Sequence, residues 1–242
     1  MAKLYIVGLG PGAGNSLTFE AQAALEAAEV LVGYTVYIEL IREAFLEKEI
    51  FTTGMRGERE RCLKALEFVR GGQDTALVCS GDAGVYGLAG LSLELAGENP
   101  PEIEIIPGVT AALAGAAKLG APLTHDFAVI SLSDLLTPWD LIEQRLRAAA
   151  AADFSIVLYN PASRKRKDYL QKACELILSE RSPETPAGYV RMIGRPGESI
   201  KLTTLGELGA CQVDMFTTVF IGNSQTKLIA GRMVTPRGYK LD

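Results

Sequence analysis

The chain has 242 residues, 48% of them apolar and 22% charged, with Lys+Arg 24 against Asp+Glu 29 and a formal net charge of −5. Gly 25 and Pro 11 fall well short of a low-complexity fraction, and no apolar run approaches the ~20 residues of a membrane-spanning helix, so wholesale disorder and membrane insertion are excluded. The negative balance removes the attraction that drives non-specific nucleic-acid binding, and the expected partner is a small molecule rather than nucleic acid or membrane. Four cysteines, Cys62, Cys79, Cys174 and Cys211, and a single histidine, His125, form no CxxC or His/Cys ligand spacing, so no metal site is expected. The segment Met1 to Gly8 lacks the apolar stretch and cleavage site of a signal peptide, and the expected location is cytoplasmic.

Short apolar, β-branched runs read as buried strands at Leu4–Val7, Val30–Val32, Ala76–Cys79, Ile103–Ile106, Phe127–Leu132, Ile156–Tyr159, Ala187–Val190 and Phe216–Ile221. Helical spacing lies between them. Ala21, Ala24, Leu25 and Ala28 follow a Thr18 cap, and Cys62, Leu66 and Val69 precede a Gly71-Gly72 stop. Thr110 to Leu119 is an alanine-rich helix stopped by Gly120. Thr137-Pro138-Trp139-Asp140, with a Thr cap and Pro at the first helical position, opens a helix over Leu141 to Ala150. Alternating strands and helices predict an α/β protein with largely parallel sheet. The domain boundary is expected at Gly120, giving domains 1–119 and 120–242.

Three glycine-containing turns follow strands. Gly8-Leu9-Gly10-Pro11-Gly12-Ala13-Gly14 superficially matches a dinucleotide-binding turn, but Pro11 lies inside it. The second strand ends at Val32-Gly33-Tyr34, where a ribose-binding acid is required. An NAD-dependent dehydrogenase is therefore the weaker reading. Ser80-Gly81-Asp82-Ala83-Gly84-Val85-Tyr86-Gly87 places a carboxylate and pliable backbone at a strand end; Asp82 reads either as a ligand group or as the cap of a helix starting near Gly84. Pro107-Gly108-Val109-Thr110-Ala111 is the third turn. Such turns on one sheet edge point to a ligand approached closely by backbone.

The blocks GLGPG at 8–12, SGDAGVYG at 80–87, PGVTA at 107–111 and APLTHDF at 121–127 resemble, in order and spacing, the tetrapyrrole (corrin/porphyrin) methylases. SLSDLLTPW at 131–139, LYNP at 158–161 and FIGNS at 220–224 are similar to the branch that methylates C17 of precorrin-3B or of cobalt-factor III. Ala83 stands where the family usually has proline. The resemblance implies two αβα domains, each with a largely parallel or mixed sheet and a ligand cleft between them. It also implies a homodimer, S-adenosylmethionine as cofactor and a carboxylated tetrapyrrole as substrate. Carried over by motif, cofactor contacts fall on Leu9, Pro11, Ser80, Gly81, Asp82, Val85, Thr110, Ala111, Asn160 and Met192. Other readings are methylation at another tetrapyrrole position, the rRNA or diphthamide branches of the fold, and a non-catalytic nucleotide- or tetrapyrrole-binding regulator.

The resemblance also makes Ser131, Ser133 and Asp134 a substrate-facing segment. Arg164-Lys165-Arg166-Lys167 is the densest basic run and precedes a helix with Leu170, Ala173, Cys174 and Ile177 on one face. Cations there oppose the helix dipole, so Arg164 and Arg166 read either as a carboxylate clamp or as a solvated surface. Methyl transfer from a sulfonium is governed by alignment and requires no acid or base. The ring contraction of the resembled branch does move a proton, which makes His125 and Asp126 the catalytic candidates; the alternatives are positioning or structural roles for His125.

Overall fold

The structure, a computed structural model, describes residues 2–12, 16–163 and 166–240. It divides into two compact units, 1–111 and 112–242. In the first, β1 (Lys3–Gly8), α1 (Phe19–Ala27), β2 (Val30–Tyr34), α2 (Thr35–Ile38), β3 (Glu49–Thr53), α3 (Glu58–Arg70), β4 (Thr75–Cys79), α4 (Ala89–Ala96) and β5 (Glu102–Ile106) build a five-stranded parallel sheet of order β3-β2-β4-β1-β5. The strands alternate into two cores. Leu4, Ile6, Val30, Val32, Leu77 and Cys79 pack with Cys62, Leu66 and Val69 of α3 and with α4. Val7, Leu31, Ala76 and Val78 pack on the other face with Ala21, Ala24 and Leu25 of α1 and with Ile38. Period-two burial on both faces is why these strands read as continuous apolar runs. The Thr18 hydroxyl caps α1, accepting from the Ala21 N–H at 3.0 Å, as expected.

The second unit holds α5 (Ala111–Leu119, whose first residue closes the first unit), β6 (Gly120–Ala121), β7 (Phe127–Ser131), α6 (Trp139–Ala151), β8 (Ser155–Tyr159), α7 (Tyr169–Leu178), β9 (Pro186–Arg191), β10 (Ser199–Thr204), α8 (Leu205–Leu208), β11 (Thr217–Ile221), β12 (Lys227–Ile229) and β13 (Arg232–Val234). Its main sheet is mixed, in the order β10-β9-β11-β8-β7. β7 pairs parallel to β8, and β11 lies antiparallel between β8 and β9. One face packs on α6, α7 and α8 through Ile142, Leu146, Leu170, Cys174, Leu205 and Leu208. α5 covers the other face so closely that a Cβ on Gly115 would lie 2.6 Å from Cζ of Phe220. The Tyr159 hydroxyl accepts from the Ala112 N–H at 2.7 Å. These contacts assign α5 to the second unit, so the division falls at 111/112 rather than at the expected 119/120 junction.

Other departures are local. β3 and β10, which extend the two sheets at one edge each, were not among the expected strands. α4 begins at Ala89, after a string of bends, and not near Gly84. α6 is capped at Pro138 without a side-chain bond, so the expected Thr137 cap is not formed. At the amino ends of β8 and β9, buried Arg181 donates to four carbonyls, those of Ala149, Ala150, Phe154 and Gly222, at 2.7 to 3.4 Å. That single guanidinium joins the last turn of α6, the start of β8 and the end of β11.

Candidate functional site

Open parallel sheets offer ligands the carboxyl ends of their strands. In the first unit, three loops meet there backbone to backbone. Gly10 and Gly81 exchange both amide hydrogen bonds, at 2.9 and 2.7 Å, and the Leu9 N–H donates to the Cys79 carbonyl at 2.8 Å. Gly10 and Gly81 have φ of +73° and +70°, in the left-handed region that favours glycine. A Cβ on Gly8 would stand 2.7 Å from the Gly108 nitrogen, and one on Gly108 would stand 2.2 Å from the Gly81 oxygen. No side chain fits at either position, which fixes how tightly the loops close.

Asp82 completes the closure. Its Oδ1 accepts from the Gly84 and Val85 amides at 2.8 and 3.0 Å, and its Oδ2 accepts from the Gly108 amide at 3.0 Å. The carboxylate is thus engaged by backbone N–H groups of two loops. It does not cap a helix at Gly84, since α4 starts at Ala89. Leu9 is buried in the core, so only its main chain is available to a ligand, whereas Ser80, Val85, Thr110 and Ala111 are part-exposed along the loops. A Cβ built on Gly81 meets nothing closer than the Ala111 nitrogen and Thr110 Cα, both at 3.7 Å. The loops leave a cradle at this point that a side chain would fill. Cys79, beneath the second loop, is no nucleophile: burial pushes its thiol up to about 12, although the Leu88 N–H donates to Sγ at 3.4 Å.

The second unit gathers its polar side chains at the carboxyl ends of β7, β8 and β9. Ser131 Oγ accepts from Asn160 Nδ2 at 2.9 Å and from the Ser133 amide at 3.2 Å. Asn160 and Met192, which follow β8 and β9, have φ of +53° and +54°, uncommon for non-glycine residues. The Met192 amide is fixed by the Phe216 carbonyl at 3.0 Å. Tyr169 donates its hydroxyl to Asp134 Oδ2 at 2.7 Å, and that bond to the carboxylate raises the phenol above its ordinary range, keeping it protonated. Arg166 Nη1 lies 3.5 Å from Asp134 Oδ1, and its Nε donates to Ser163 Oγ at 3.1 Å.

Arg166 is largely buried and charge-compensated by Asp134, so it is not a solvated surface cation. It precedes the Asp168 cap of α7, outside the helix's first turn, so the dipole argument does not apply to it. Arg164 lies outside the described residues. His125 and Asp126 are not brought to this edge. They precede β7 at its amino end, roughly 20 Å from Ser131 at about 3.3 Å per extended residue. His125 Nδ1 accepts from the adjacent Asp126 amide at 3.1 Å and lies 3.5 Å from its carboxylate, and both side chains are exposed. A recess of about 490 Å³ at the amino edge is lined by Asp153, Arg181 and Ser224, but Arg181 is occupied by carbonyls and Asp153 by the Ser224 amide and hydroxyl. Sequence reasoning did not single out Tyr169 or Tyr159, because partly exposed tyrosines carry no pattern until the loops are closed.

The family model of the tetrapyrrole (corrin/porphyrin) methylases matches residues 3–209. The chain belongs to that family. It is 48% identical to the Probable cobalt-factor III C(17)-methyltransferase of Salmonella typhimurium, over 98% of this chain and 100% of that one. It is 39% identical to the Precorrin-3B C(17)-methyltransferase of a Sinorhizobium species, over 98% of this chain and 96% of that one. The crystal structure of the methyltransferase CobJ superposes with a TM-score of 0.91 at 36% identity, covering 98% of this chain and 100% of that chain. Tetrapyrrole methylases take their methyl group from S-adenosylmethionine, and the dehydrogenase alternative falls away.

Proposed function

We propose that this tetrapyrrole methylase methylates C17 of cobalt-factor III, with contraction of the macrocycle, and that precorrin-3B is the metal-free counterpart it resembles less. The observation that carries the reading is the glycine-braced loop cluster at 8–12, 80–87 and 107–111, found in a chain 48% identical end to end to a protein of that name. The enzyme acts in the cytoplasm as a homodimer.

The cradle fits S-adenosylmethionine by its chemistry. Backbone at Leu9, Pro11, Ser80, Gly81, Val85, Thr110 and Ala111 offers donors and acceptors at close range, and the family motifs carry further cofactor contacts over onto Asn160 and Met192. Asp82 serves by holding the loops. When bound, the cofactor supplies a sulfonium methyl open to in-line displacement by a ring carbon. The protein's share is alignment, which can account for ~7–11 kcal/mol of a barrier. Ser131, Ser133 and the Asp134–Tyr169–Arg166 group orient peripheral carboxylates of the substrate, with Arg166 shared between Asp134 and the incoming anion.

The test is turnover of cobalt-factor III and of precorrin-3B with ¹³C-methyl-labelled cofactor, read by mass spectrometry and by the carbon that carries the label, beside calorimetric titration with S-adenosylhomocysteine. A singly methylated, ring-contracted product labelled at C17 is expected. Label at another carbon, or no product from either substrate, overturns the reading.

A further inference from the structure

The carboxyl edge of the first sheet continues past the glycine loops to the ends of β2 and β3. β3 runs into a turn, Gly54-Met55-Arg56-Gly57, in which the Gly57 amide reaches back to the Gly54 carbonyl at 3.4 Å. A Cβ at Gly57 would lie 2.2 Å from Thr53 Oγ1, so a side chain there would have to displace the Thr53 side chain. Arg56 holds a left-handed φ of +69°. Six non-glycine residues among the described ones lie in that region; of these, Asn160 and Met192 directly follow β8 and β9, Tyr86 lies in the 80–87 loop, and Arg56 comes three residues after β3. Backbone held in sparsely populated conformations clusters where ligands are bound.

The turn is held from beneath. Arg61 of α3 is 4% exposed, and its Nη1 donates to Thr53 Oγ1 at 2.6 Å and to the Gly54 carbonyl at 3.0 Å. The guanidinium stands 5.8 Å from the Tyr34 ring centroid, and Nη2 is 3.6 Å from Glu58. Its buried Nε has no hydrogen-bond partner. A buried guanidinium left with an unmade bond is destabilising by itself, which marks this one as fixing the turn's shape.

What the turn displays is a cation on an apolar ground. Met55 is 57% exposed, Tyr34 and Tyr37 form an edge-on pair at 5.1 Å, and Arg56 is exposed and makes no ion pair among the described residues. Arg166, by contrast, already faces one carboxylate, that of Asp134, at 3.5 Å.

We propose that the Gly54–Gly57 turn is a substrate-reading element, with Arg56 taking a peripheral carboxylate of the tetrapyrrole, Met55 and Tyr34 meeting its apolar ring, and Arg61 acting as the positioning residue. The proposal rests on the substrate reading given above. It requires that the turn govern the affinity for the macrocycle and leave that for the cofactor alone.

The experiment compares the parent with Arg56→Gln, Arg56→Lys, Met55→Ser and Arg61→Lys, measuring KM and kcat for cobalt-factor III and Kd for S-adenosylhomocysteine. Arg56→Gln should raise KM about tenfold or more, with Arg56→Lys restoring part of it and the cofactor Kd held within about twofold. Arg61→Lys should give the same KM-against-Kd split, and Met55→Ser a smaller rise in KM. Substrate with esterified carboxylates should bind parent and Arg56→Gln alike. Parental KM in Arg56→Gln, or equal losses in KM and cofactor Kd, overturns the subsite while turnover by the parent upholds the functional reading. A parent that binds S-adenosylhomocysteine and methylates no tetrapyrrole overturns both.

Discussion

Asp82→Asn tests whether the cofactor loops are held by one carboxylate. The amide oxygen can still accept from Gly84 and Val85, which use Oδ1 in the parent, but the NH2 group then faces the Gly108 N–H, donor against donor. A hydrogen bond to a charged acceptor contributes ~1.5–3 kcal/mol, and the part-exposed setting of Asp82 places the loss near the low end, at about 2 kcal/mol. A chain of this size shifts by roughly 2–4 °C per kcal/mol, so Tm should fall by about 4–8 °C. Freed from Asp82, the 107–111 loop no longer presents Thr110 and Ala111 in a fixed place, and the Kd for S-adenosylhomocysteine should rise on the order of tenfold. Differential scanning calorimetry and isothermal titration read the two effects. Parental Tm with lost affinity would show that the carboxylate acts on the ligand directly, and parental values of both would refute the bracing argument.

Two further outcomes are expected. His125→Asn should keep parental turnover and cofactor affinity, because the imidazole lies at the opposite end of β7 from Ser131; slower formation of the ring-contracted product at unchanged stability would refute this placement. Glu198 is held below the ordinary carboxylate range, first by the Gly194 amide at 2.7 Å and then by Lys118 at 2.9 Å. Its folded-state pKa is depressed, so its stabilisation is present above the unfolded value of about 4.3 and is lost as pH falls through the folded one. Glu198→Gln should therefore flatten Tm against pH below about pH 4.5, and a curve parallel to the parent's would contradict it.

The interior strands were legible because each is buried on both faces. Leu4, Ile6 and Val7 or Ala76, Leu77 and Val78 leave no room for polar residues. β3 and β10 escaped notice for the converse reason. They lie at sheet edges, and Glu49, Thr52, Ser199 and Lys201 are polar because one side of each strand has less to pack against. Glycine loops announced where the strand-end loops of the first sheet close on one another, since close backbone approach leaves a compositional trace at Gly8, Gly81 and Gly108. The role of Asp82 left none: a carboxylate that caps a helix and one that ties two loops look the same until Gly108, distant in sequence, arrives beside it. His125 stood out by its rarity in the chain, and rarity says nothing about which end of a strand a residue occupies.

The Arg181 knot gives the two edges of the second sheet different mechanical characters. At the amino edge one side chain holds four carbonyls drawn from three stretches of chain, and the Asn223-Ser224 corner that follows β11 is tied to Asp153. That end opens all at once or not at all, because releasing any one stretch strands the guanidinium's bonds to the others. Among the described residues the carboxyl edge has no such hub; its side chains are joined in two small groups, Ser131 with Asn160 and Ser133, and Asp134 with Tyr169 and Arg166. A library that recuts the carboxyl edge therefore works against an anchored rear wall, and the residue that most limits such redesign is Arg181, whose guanidinium is taken up by four carbonyls at the opposite end.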